Sequence, residues 1–253
     1  KHILLNNLEP LKLLKIKHEN LQVSPKVSPK VLSKIEGRLE KLNVKDFIIV
    51  HLSAQYSYKI YPEQFRNILL TCLNDLNVSL IITGSKNAID LEIKQQLPKL
   101  PNLIDLIGET TLEEYLALSN LSIGYIGMDT LNMHIAAAQN KRIFAIFGPT
   151  SLKMWSPWSN ILQKSAIYDS PLQTYGGISI FQANMPCVAC GMAGCDDLHG
   201  DSQCLSMINP ESIYKVVEKW FLNRNNDLSL ENEFKSEEQI ISSNQNFLLY
   251  IVY

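Results

Sequence analysis

The hydrophobic pattern of residues 124–150 predicts a strand, a helix and a second strand in succession. The apolar run LSIGYI leads into a turn at residues 127–130, and the small-residue segment NMHIAAA follows. A second apolar run, IFAIF, then ends at Gly148. Short apolar runs bounded by turn residues are typical of buried strands, whereas the spacing and length of the middle segment favour a helix. This stretch therefore predicts one βαβ unit.

The same alternation of apolar runs and amphipathic segments begins at residue 46. The apolar runs FIIVHL, VSLIIT and LIDLIG predict strands. Helices are predicted at Glu63–Asn74 and Ala88–Leu97. A further helix, LEEYLALS, follows Thr111, which forms a capping box with Glu114. Strands and helices that alternate at this spacing predict an α/β fold with a parallel sheet, right-handed crossovers and helices on both faces.

The flanking segments have less regular patterns. Residues 3–17 have helical spacing that a proline interrupts early, and VSPKVSPK at 23–30 predicts an extended linker. Val31–Leu42 predicts an amphipathic helix. Beyond the sheet, SLKMWSPWSN predicts a loop whose two tryptophans pack on a core or a crevice. A helix at Pro210–Asn223 is followed by a polar linker or loosely held helix at 223–246 and by the apolar end FLLYIVY.

Composition narrows the possible functions. The chain has 253 residues and a formal charge of −2, which gives no global electrostatic reason to expect a nucleic-acid partner. No apolar run is long enough to span a bilayer, and the first residues lack the pattern of a signal peptide, so we expect a cytoplasmic protein. The chain begins with lysine, which suggests that a segment precedes it. Neither a dinucleotide fingerprint nor a P-loop motif is present.

The βαβ unit predicts an anion site. The strand tips and the helix N-terminus meet at one crevice, where unpaired backbone N–H groups and the positive end of the helix dipole favour a phosphate. Asp129 or Thr130 lies where an N-cap is expected. Lys59, between a predicted strand end and Pro62, is placed to neutralise the same phosphate. The simpler alternative is that Asp129 only caps the helix and that His134 is a core histidine.

Four cysteines lie close together in the loop 186–205. Their spacing begins with C-x2-C, which is typical of metal ligands, and cytosolic thiols stay reduced. A structural zinc is the sharper hypothesis, and His199 offers a substitute ligand. An iron–sulfur cluster is less favoured, and the alternative without metal is four reduced or reversibly paired thiols. The candidate metal ligands are Cys187, Cys190, Cys195 and Cys204.

Several of these segments resemble a known family. LEEYLAL, IGYIGMDTLNMHIAAA, FAIFGPT and MWSPWSN occur in order, with HLSAQYSYKIYPEQF before them and the cysteine loop after them. This arrangement, over about residues 47–222, resembles the bacterial heptosyltransferases of glycosyltransferase family 9. The resemblance implies the C-terminal, donor-binding half of a GT-B fold, whose two Rossmann-like domains face each other across a cleft. Residues 46–222 are then expected to form the Rossmann-like domain, residues 1–45 the end of an N-terminal domain or the connection from it, and residues 223–253 a linker and tail.

The resemblance also implies roles for individual residues. Lys59 matches the family lysine near the donor diphosphate, and Asp129 matches the acid beside the transferred sugar. Thr130 and His134 belong to the motif D-[ST]-G-x-x-H, in which Leu131 replaces the glycine. Because that glycine allows close approach of a phosphate, the replacement predicts altered donor binding or a branch with another donor or acceptor. The candidate catalytic residues are Lys59, Asp129 and His134. The candidate donor-binding residues are Thr130, Leu131, Asn132, Met133, Ser53, Gly84, Gly108 and Thr111.

The implied reaction is an inverting transfer of heptose from ADP-heptose to a lipid-linked core oligosaccharide of lipopolysaccharide. The acceptor hydroxyl attacks the anomeric carbon and the diphosphate leaves, stabilised by N–H groups, Thr130 and Lys59 without a catalytic metal. The family's catalytic base lies in the N-terminal domain, so we expect this chain to bind donor but to be inactive alone. The expected place of work is the inner face of the cytoplasmic membrane. The alternatives are a related glycosyltransferase with another nucleotide sugar, and a non-catalytic, metal-stabilised binding module.

Overall fold

The structure, a computed structural model, describes residues 1–16 and 21–224. The strands are β1 (Phe47–His51), β2 (Ser79–Ile82), β3 (Leu103–Asp105), β4 (Gly124–Met128), β5 (Arg142–Phe147), β6 (Leu172–Tyr175) and β7 (Ile178–Gln182). The helices are α1 (Ile3–Asn7), α2 (Glu9–Leu13), α3 (Pro29–Lys41), α4 (Glu63–Asn74), α5 (Ala88–Gln95), α6 (Leu112–Leu121), α7 (Leu131–Ala138), α8 (Leu152–Trp155), α9 (Gln203–Ser206) and α10 (residues 210–224). A short 3-10 helix spans Ser57–Lys59.

The described strands form one sheet in the order β3-β2-β1-β4-β5-β7-β6. All neighbouring pairs are parallel except β6 with β7, which is antiparallel. The chain first builds outwards from β1 to β3 and then crosses back to β4 beside β1. In open α/β sheets, ligands bind outside the carboxyl ends of the strands at such a reversal of order. The predicted α/β class and the βαβ unit at residues 124–147 are confirmed.

The sheet is mixed, because β6 and β7 form an edge hairpin that the sequence analysis did not predict. Tyr175 pairs with Ile178, so Gly176 and Gly177 form the two-residue loop between the strands. Gly176 has a φ of +52°, a conformation that glycine adopts without strain. A Gly-Gly pair between two runs with strand-forming residues is a hairpin signal that was present in the sequence.

Helices cover both faces of the sheet, as predicted. Side chains alternate along each strand, so Ile48 and Val50 of β1 point to one core while Phe47 and Ile49 point to the other. The first core is closed by residues of α4, α5 and α10, and the second by residues of α3, α6 and α7. These two cores hold the carboxyl ends of the parallel strands in place.

Helix α3 begins earlier than predicted. It begins at Pro29, inside the predicted extended linker, because proline at the first helical position lacks only an N–H that would be unpaired anyway. Its side chains Ile35 and Leu39 lie in the second core. The residues before 46 thus include a helix that packs against the sheet.

The N-terminal segment packs on the tryptophan loop. Leu4, Leu8, Leu21 and Trp158 form a small third cluster, and the indole N–H of Trp158 donates to the carbonyl of Leu21 at 3.2 Å. This confirms core packing for Trp158. The predicted tail beyond residue 224 lies outside the described residues. Within the described ranges, no helix has the length and apolar character needed to cross a membrane.

We predict opposite effects for two glycine-to-alanine substitutions. A Cβ at Gly127 in β4 would lie 2.2 Å from the carbonyl oxygen of His51, so Gly127→Ala is expected to destabilise the chain by about 3 kcal/mol through overpacking. Gly37 in α3 has no atom within 4 Å of such a Cβ, so Gly37→Ala is expected to stabilise it by about 1 kcal/mol. Urea unfolding measures both, and a Gly127→Ala variant as stable as the wild type would contradict the close approach of β4 to β1.

Candidate functional site

Two predicted catalytic residues form an ion pair at the reversal of strand order. Lys59 ends the 3-10 helix after β1, and Asp129 directly follows β4. The Nζ atom of Lys59 donates to Oδ2 of Asp129 at 2.7 Å, with side-chain exposures of 23% and 7%. Thr130, not Asp129, is the N-cap residue of α7, and its side chain makes no capping hydrogen bond. The interpretation of Asp129 as a simple helix cap is therefore wrong.

The first turn of α7 is the element beside this ion pair. The backbone N–H groups of Leu131, Asn132 and Met133 have no partner within the helix, as in any helix N-terminus. The Leu131 side chain is 40% exposed and lies outside the core. Met133 is fully buried with its side chain in the second core, so this side chain cannot contact a ligand.

His134 lies one turn further along α7. Loss of hydration lowers its pKa from 6.5 to about 4, although the negative charge of Asp129 opposes this shift. The positive charges of His2 and Lys59 lower the pKa further. His134 is consequently neutral at physiological pH.

A buried histidine that the sequence analysis missed connects α7 to the sheet. His51 ends β1, and its Nδ1 lies 2.9 Å from the carbonyl oxygen of Thr83 and 3.0 Å from Nδ2 of Asn132. Burial lowers the pKa of His51 to about 4, so its ring is uncharged at neutral pH. Because Nδ1 of a neutral ring either donates or accepts, it bonds one of these two groups at a time, and His51 lies between Thr83 after β2 and Asn132 of α7. The available signal was a polar residue at the carboxyl end of an apolar strand, FIIVH.

A cavity of about 510 Å3 opens at the carboxyl ends of β2 and β3, on the side of β1 away from β4. Two predicted donor-binding residues, Gly108 and Thr111, lie in its wall. Gly84 adjoins them, because its carbonyl accepts from the N–H of Gly108 at 2.9 Å. Ser53 is buried in the segment after β1. The cavity is lined by Ser85, Lys86, Gly108, Glu109, Thr110, Thr111 and Glu114.

The cysteine loop lies against the segment that carries Lys59. The hydroxyl of Ser57 donates to the carbonyl of His199 at 3.2 Å, and the rings of Tyr58 and His199 meet edge to face with centroids 5.6 Å apart. The cysteine loop thus supports the segment from which Lys59 reaches Asp129.

The four cysteines differ in exposure. Cys187, Cys190 and Cys195 are exposed, whereas Cys204 is buried, and burial raises the pKa of its thiol to about 11. In residues 1–16 and 21–224, no group of three or more histidine, cysteine or acidic side chains is arranged to hold a metal ion. The side chains as placed do not fit a tetrahedral site, and a structural zinc stays a prediction.

Comparison with known proteins relates this site to a family. A sequence model of "Glycosyltransferase family 9 (heptosyltransferase)" matches residues 13–173. Lipopolysaccharide heptosyltransferase 3 of Escherichia coli (strain K12) is 26% identical over 167 residues, which cover 64% of this chain and 48% of that protein. Lipooligosaccharide heptosyltransferase 2 of Campylobacter jejuni (strain NCTC 11168) is 28% identical over 133 residues, or 53% and 34% of the two chains. The chain thus spans about half or less of the length of these curated relatives.

Solved structures agree in fold. The E. coli ADP-heptose lipopolysaccharide heptosyltransferase II superposes with a TM-score of 0.62 at 18% identity, over 84% of this chain and 57% of that one. A glycosyltransferase family 9 protein from Veillonella parvula gives 0.65 at 18% identity, over 88% and 60%. At this identity the likeness shows the shared Rossmann-like fold.

We predict that the chain loses stability as the pH falls from about 6.5 to about 4. The pKa of His51 is about 4 in the folded chain against an ordinary value of 6.5, so the unfolded chain binds a proton that the folded chain does not. This contribution is complete above pH 6.5 and is lost towards pH 4. Since one pKa unit corresponds to about 1.4 kcal/mol, the His51 contribution is on the order of 3 kcal/mol. Urea unfolding between pH 7 and pH 4.5 should show a shallower loss for His51→Gln than for the wild type, and identical slopes would contradict the prediction.

Proposed function

The chain belongs to glycosyltransferase family 9, the heptosyltransferase family, and from this membership we propose that it supplies the donor site of a transferase that uses a nucleotide sugar. The observation that carries the proposal is the Lys59–Asp129 ion pair beside the first turn of α7, at the reversal of strand order. A cation next to backbone N–H groups at a helix start favours an anionic ligand. The largely buried carboxylate beside it can accept hydrogen bonds from hydroxyl groups of that ligand.

The order of the strands suggests how such a ligand lies. The diphosphate takes the position between Lys59 and the backbone N–H groups at the start of α7, outside β1 and β4. The nucleoside then extends along the sheet edge over β2 and β3, where the cavity of about 510 Å3 has the size of a small-molecule site. The sugar lies on the other side of the diphosphate, near Asp129.

The donor that we propose is ADP-heptose. Support comes from the family membership and from the shared fold with the E. coli ADP-heptose lipopolysaccharide heptosyltransferase II. The acceptor is a lipid-linked core oligosaccharide, which places the work of the enzyme at the inner face of the cytoplasmic membrane. We propose that the anomeric centre is inverted and that the catalytic base comes from an N-terminal domain.

In this proposal the chain acts mainly on the leaving group. Negative charge grows on the departing diphosphate, and donors fixed in advance around that position stabilise it. Lys59 and the N–H groups of Leu131 and Asn132 fill that role. When Lys59 turns to the diphosphate, Asp129 is released to accept hydrogen bonds from sugar hydroxyls. His134, which is neutral, adds a hydrogen bond.

Another nucleotide sugar is the second candidate. Leu131 stands at the position that is glycine in the family motif, and its side chain lies at the helix end that would meet the phosphate. A side chain there restricts how closely a phosphate can approach the backbone. This observation favours a branch of the family with a different donor.

Calorimetric titration with ADP, UDP and GDP tests the proposal and separates the candidates. Selective binding of ADP is expected, and selective binding of UDP or GDP would support the second candidate. If none of the three nucleotides binds, the chain is not a donor domain, and a non-catalytic binding module becomes the better description.

Two substitutions at the ion pair are expected to differ in their effect on diphosphate binding. Lys59→Ala should weaken nucleoside diphosphate binding at least tenfold, because it removes a charge-assisted hydrogen bond. Asp129→Asn should leave diphosphate affinity equal or higher, since it removes a competing negative charge. Lys45→Ala, an exposed lysine just before β1 at the opposite edge of the sheet, is the matched control and should bind as the wild type does. Equal effects of Lys59→Ala and Lys45→Ala would contradict the assignment.

A further inference from the structure

Two basic residues of α3 reach the wall of the cavity from outside. Lys34 and Arg38 are four residues apart, so they lie on one face of the helix. Nη1 of Arg38 donates to the carbonyl oxygen of Glu109 at 3.1 Å, and Nη2 pairs with the Glu109 carboxylate. Nζ of Lys34 pairs with Oε1 of Glu114 at 2.5 Å.

Both acidic partners line the cavity. Glu109 belongs to the turn between β3 and α6, and Glu114 lies in the first turn of α6. The second carboxylate oxygen of Glu114 accepts from the N–H of Thr111 at 2.8 Å, which closes the capping box. Lys34 and Arg38 therefore contact the same short segment, residues 109–114, that forms one side of the cavity.

The same turn is also supported from the other face of the sheet. Nζ of Lys94 in α5 pairs with Asp105 at 2.7 Å and donates to the carbonyl of Ile107 at 3.2 Å. It also lies 4.0 Å from the second carboxylate oxygen of Glu109. The turn is thus held between a cation on α5 and the cations on α3.

The charges of these ion pairs affect the binding of an anionic ligand in the cavity. The cavity lining contains two carboxylates, Glu109 and Glu114, and one lysine, Lys86. Unpaired carboxylates at the entrance would repel a ligand that carries a diphosphate. Arg38 and Lys34 compensate them without being lining residues of the cavity themselves.

We infer that Arg38 and Lys34 are positioning residues of the nucleotide site, which fix and neutralise the wall formed by residues 109–114 and thereby set the affinity for the nucleoside part of the donor. This inference rests on the proposed function. It assigns a binding role to α3, a helix that lies before the predicted start of the domain.

A purely structural role would give a different pattern of effects. Lys34 has a side-chain exposure of 69%, and exposed ion pairs of this kind contribute little to overall stability. The position of the wall, in contrast, decides whether a nucleoside fits. Loss of these contacts should therefore reduce affinity more than it reduces global stability.

The test compares two ligands on the full chain in 0.15 M NaCl, which screens distant charges. One ligand is whichever of ADP, UDP and GDP binds the wild type most tightly, and the other is inorganic pyrophosphate, which reaches only the site of Lys59 and α7. The variants are Arg38→Gln, Arg38→Lys and the double variant Lys34→Gln with Arg38→Gln. Lys41→Gln, an exposed lysine on the same helix, is the matched control.

Arg38→Gln is expected to weaken nucleoside diphosphate binding roughly fivefold, and the double variant about tenfold or more, with pyrophosphate binding unchanged. Arg38→Lys should fall between Arg38→Gln and the wild type, because lysine keeps the charge but cannot make the forked contact. Lys41→Gln should bind both ligands as the wild type does, and thermal unfolding should give all variants midpoints close to that of the control.

Four outcomes would overturn the inference. Unchanged nucleotide affinity in the double variant shows that α3 has no influence on the site. Equal weakening of nucleotide and pyrophosphate shows a general loss of structure instead of a positioned wall. Pyrophosphate binding by the wild type without binding of any nucleotide removes the nucleoside site itself, whereas failure of the wild type to bind either ligand removes the proposed function together with the inference.

Discussion

The ion pair between Lys59 and Asp129 is the interaction on which the candidate site depends. Asp129 is almost fully buried, and a buried carboxylate needs a compensating charge and hydrogen bonds. Lys59 provides both from a loop that is 70 residues away in sequence. Because the pair lies outside the carboxyl ends of β1 and β4, it places one cation and one anion where the strand order makes a crevice. A diphosphate would compete with Asp129 for Lys59, so ligand binding and the release of the carboxylate are linked.

The sheet makes this pair possible through a close backbone contact. Gly127 lets β4 approach the end of β1, where even one methyl group would collide with the carbonyl of His51. His51 in turn contacts Asn132 and so fixes the first turn of α7 relative to the same two strands. Around this rigid centre, the segments that face the ligand are supported by contacts between loops and helices. The cysteine loop contacts the Lys59 segment through His199, and α3 contacts the cavity wall through Arg38.

Local pattern explains which parts of this arrangement the sequence could predict. The βαβ unit, helix α4 and the capping box of Thr111 and Glu114 follow from short-range spacing, and all are confirmed. The approach of Lys59 to Asp129 was also predictable, because the carboxyl ends of parallel strands meet at one edge. The resemblance to the family motif identified Lys59 and Asp129 as site residues, and the sheet topology explains why they lie close together.

The features that were missed depend on distant partners or on the direction of single side chains. Lys34 is paired with a residue 80 positions away, and nothing in the amphipathic pattern of α3 distinguishes it from a solvated lysine. The Met133 side chain turns into the core although the residue belongs to the site motif, because helical position and not motif membership sets its direction. The β6–β7 hairpin was missed because its strands are short and one lies at an exposed edge, even though the Gly-Gly turn was visible.

The central claim is that the start of α7, together with Lys59, receives a diphosphate. The most direct measurement is the change in backbone amide NMR signals of the 15N-labelled chain during titration with inorganic pyrophosphate. We expect the largest saturable shifts at the amides of Leu131, Asn132 and Met133 and in the Lys59 segment. Shifts concentrated at the opposite edge of the sheet, near Lys45, or the absence of saturable shifts at α7 would contradict it.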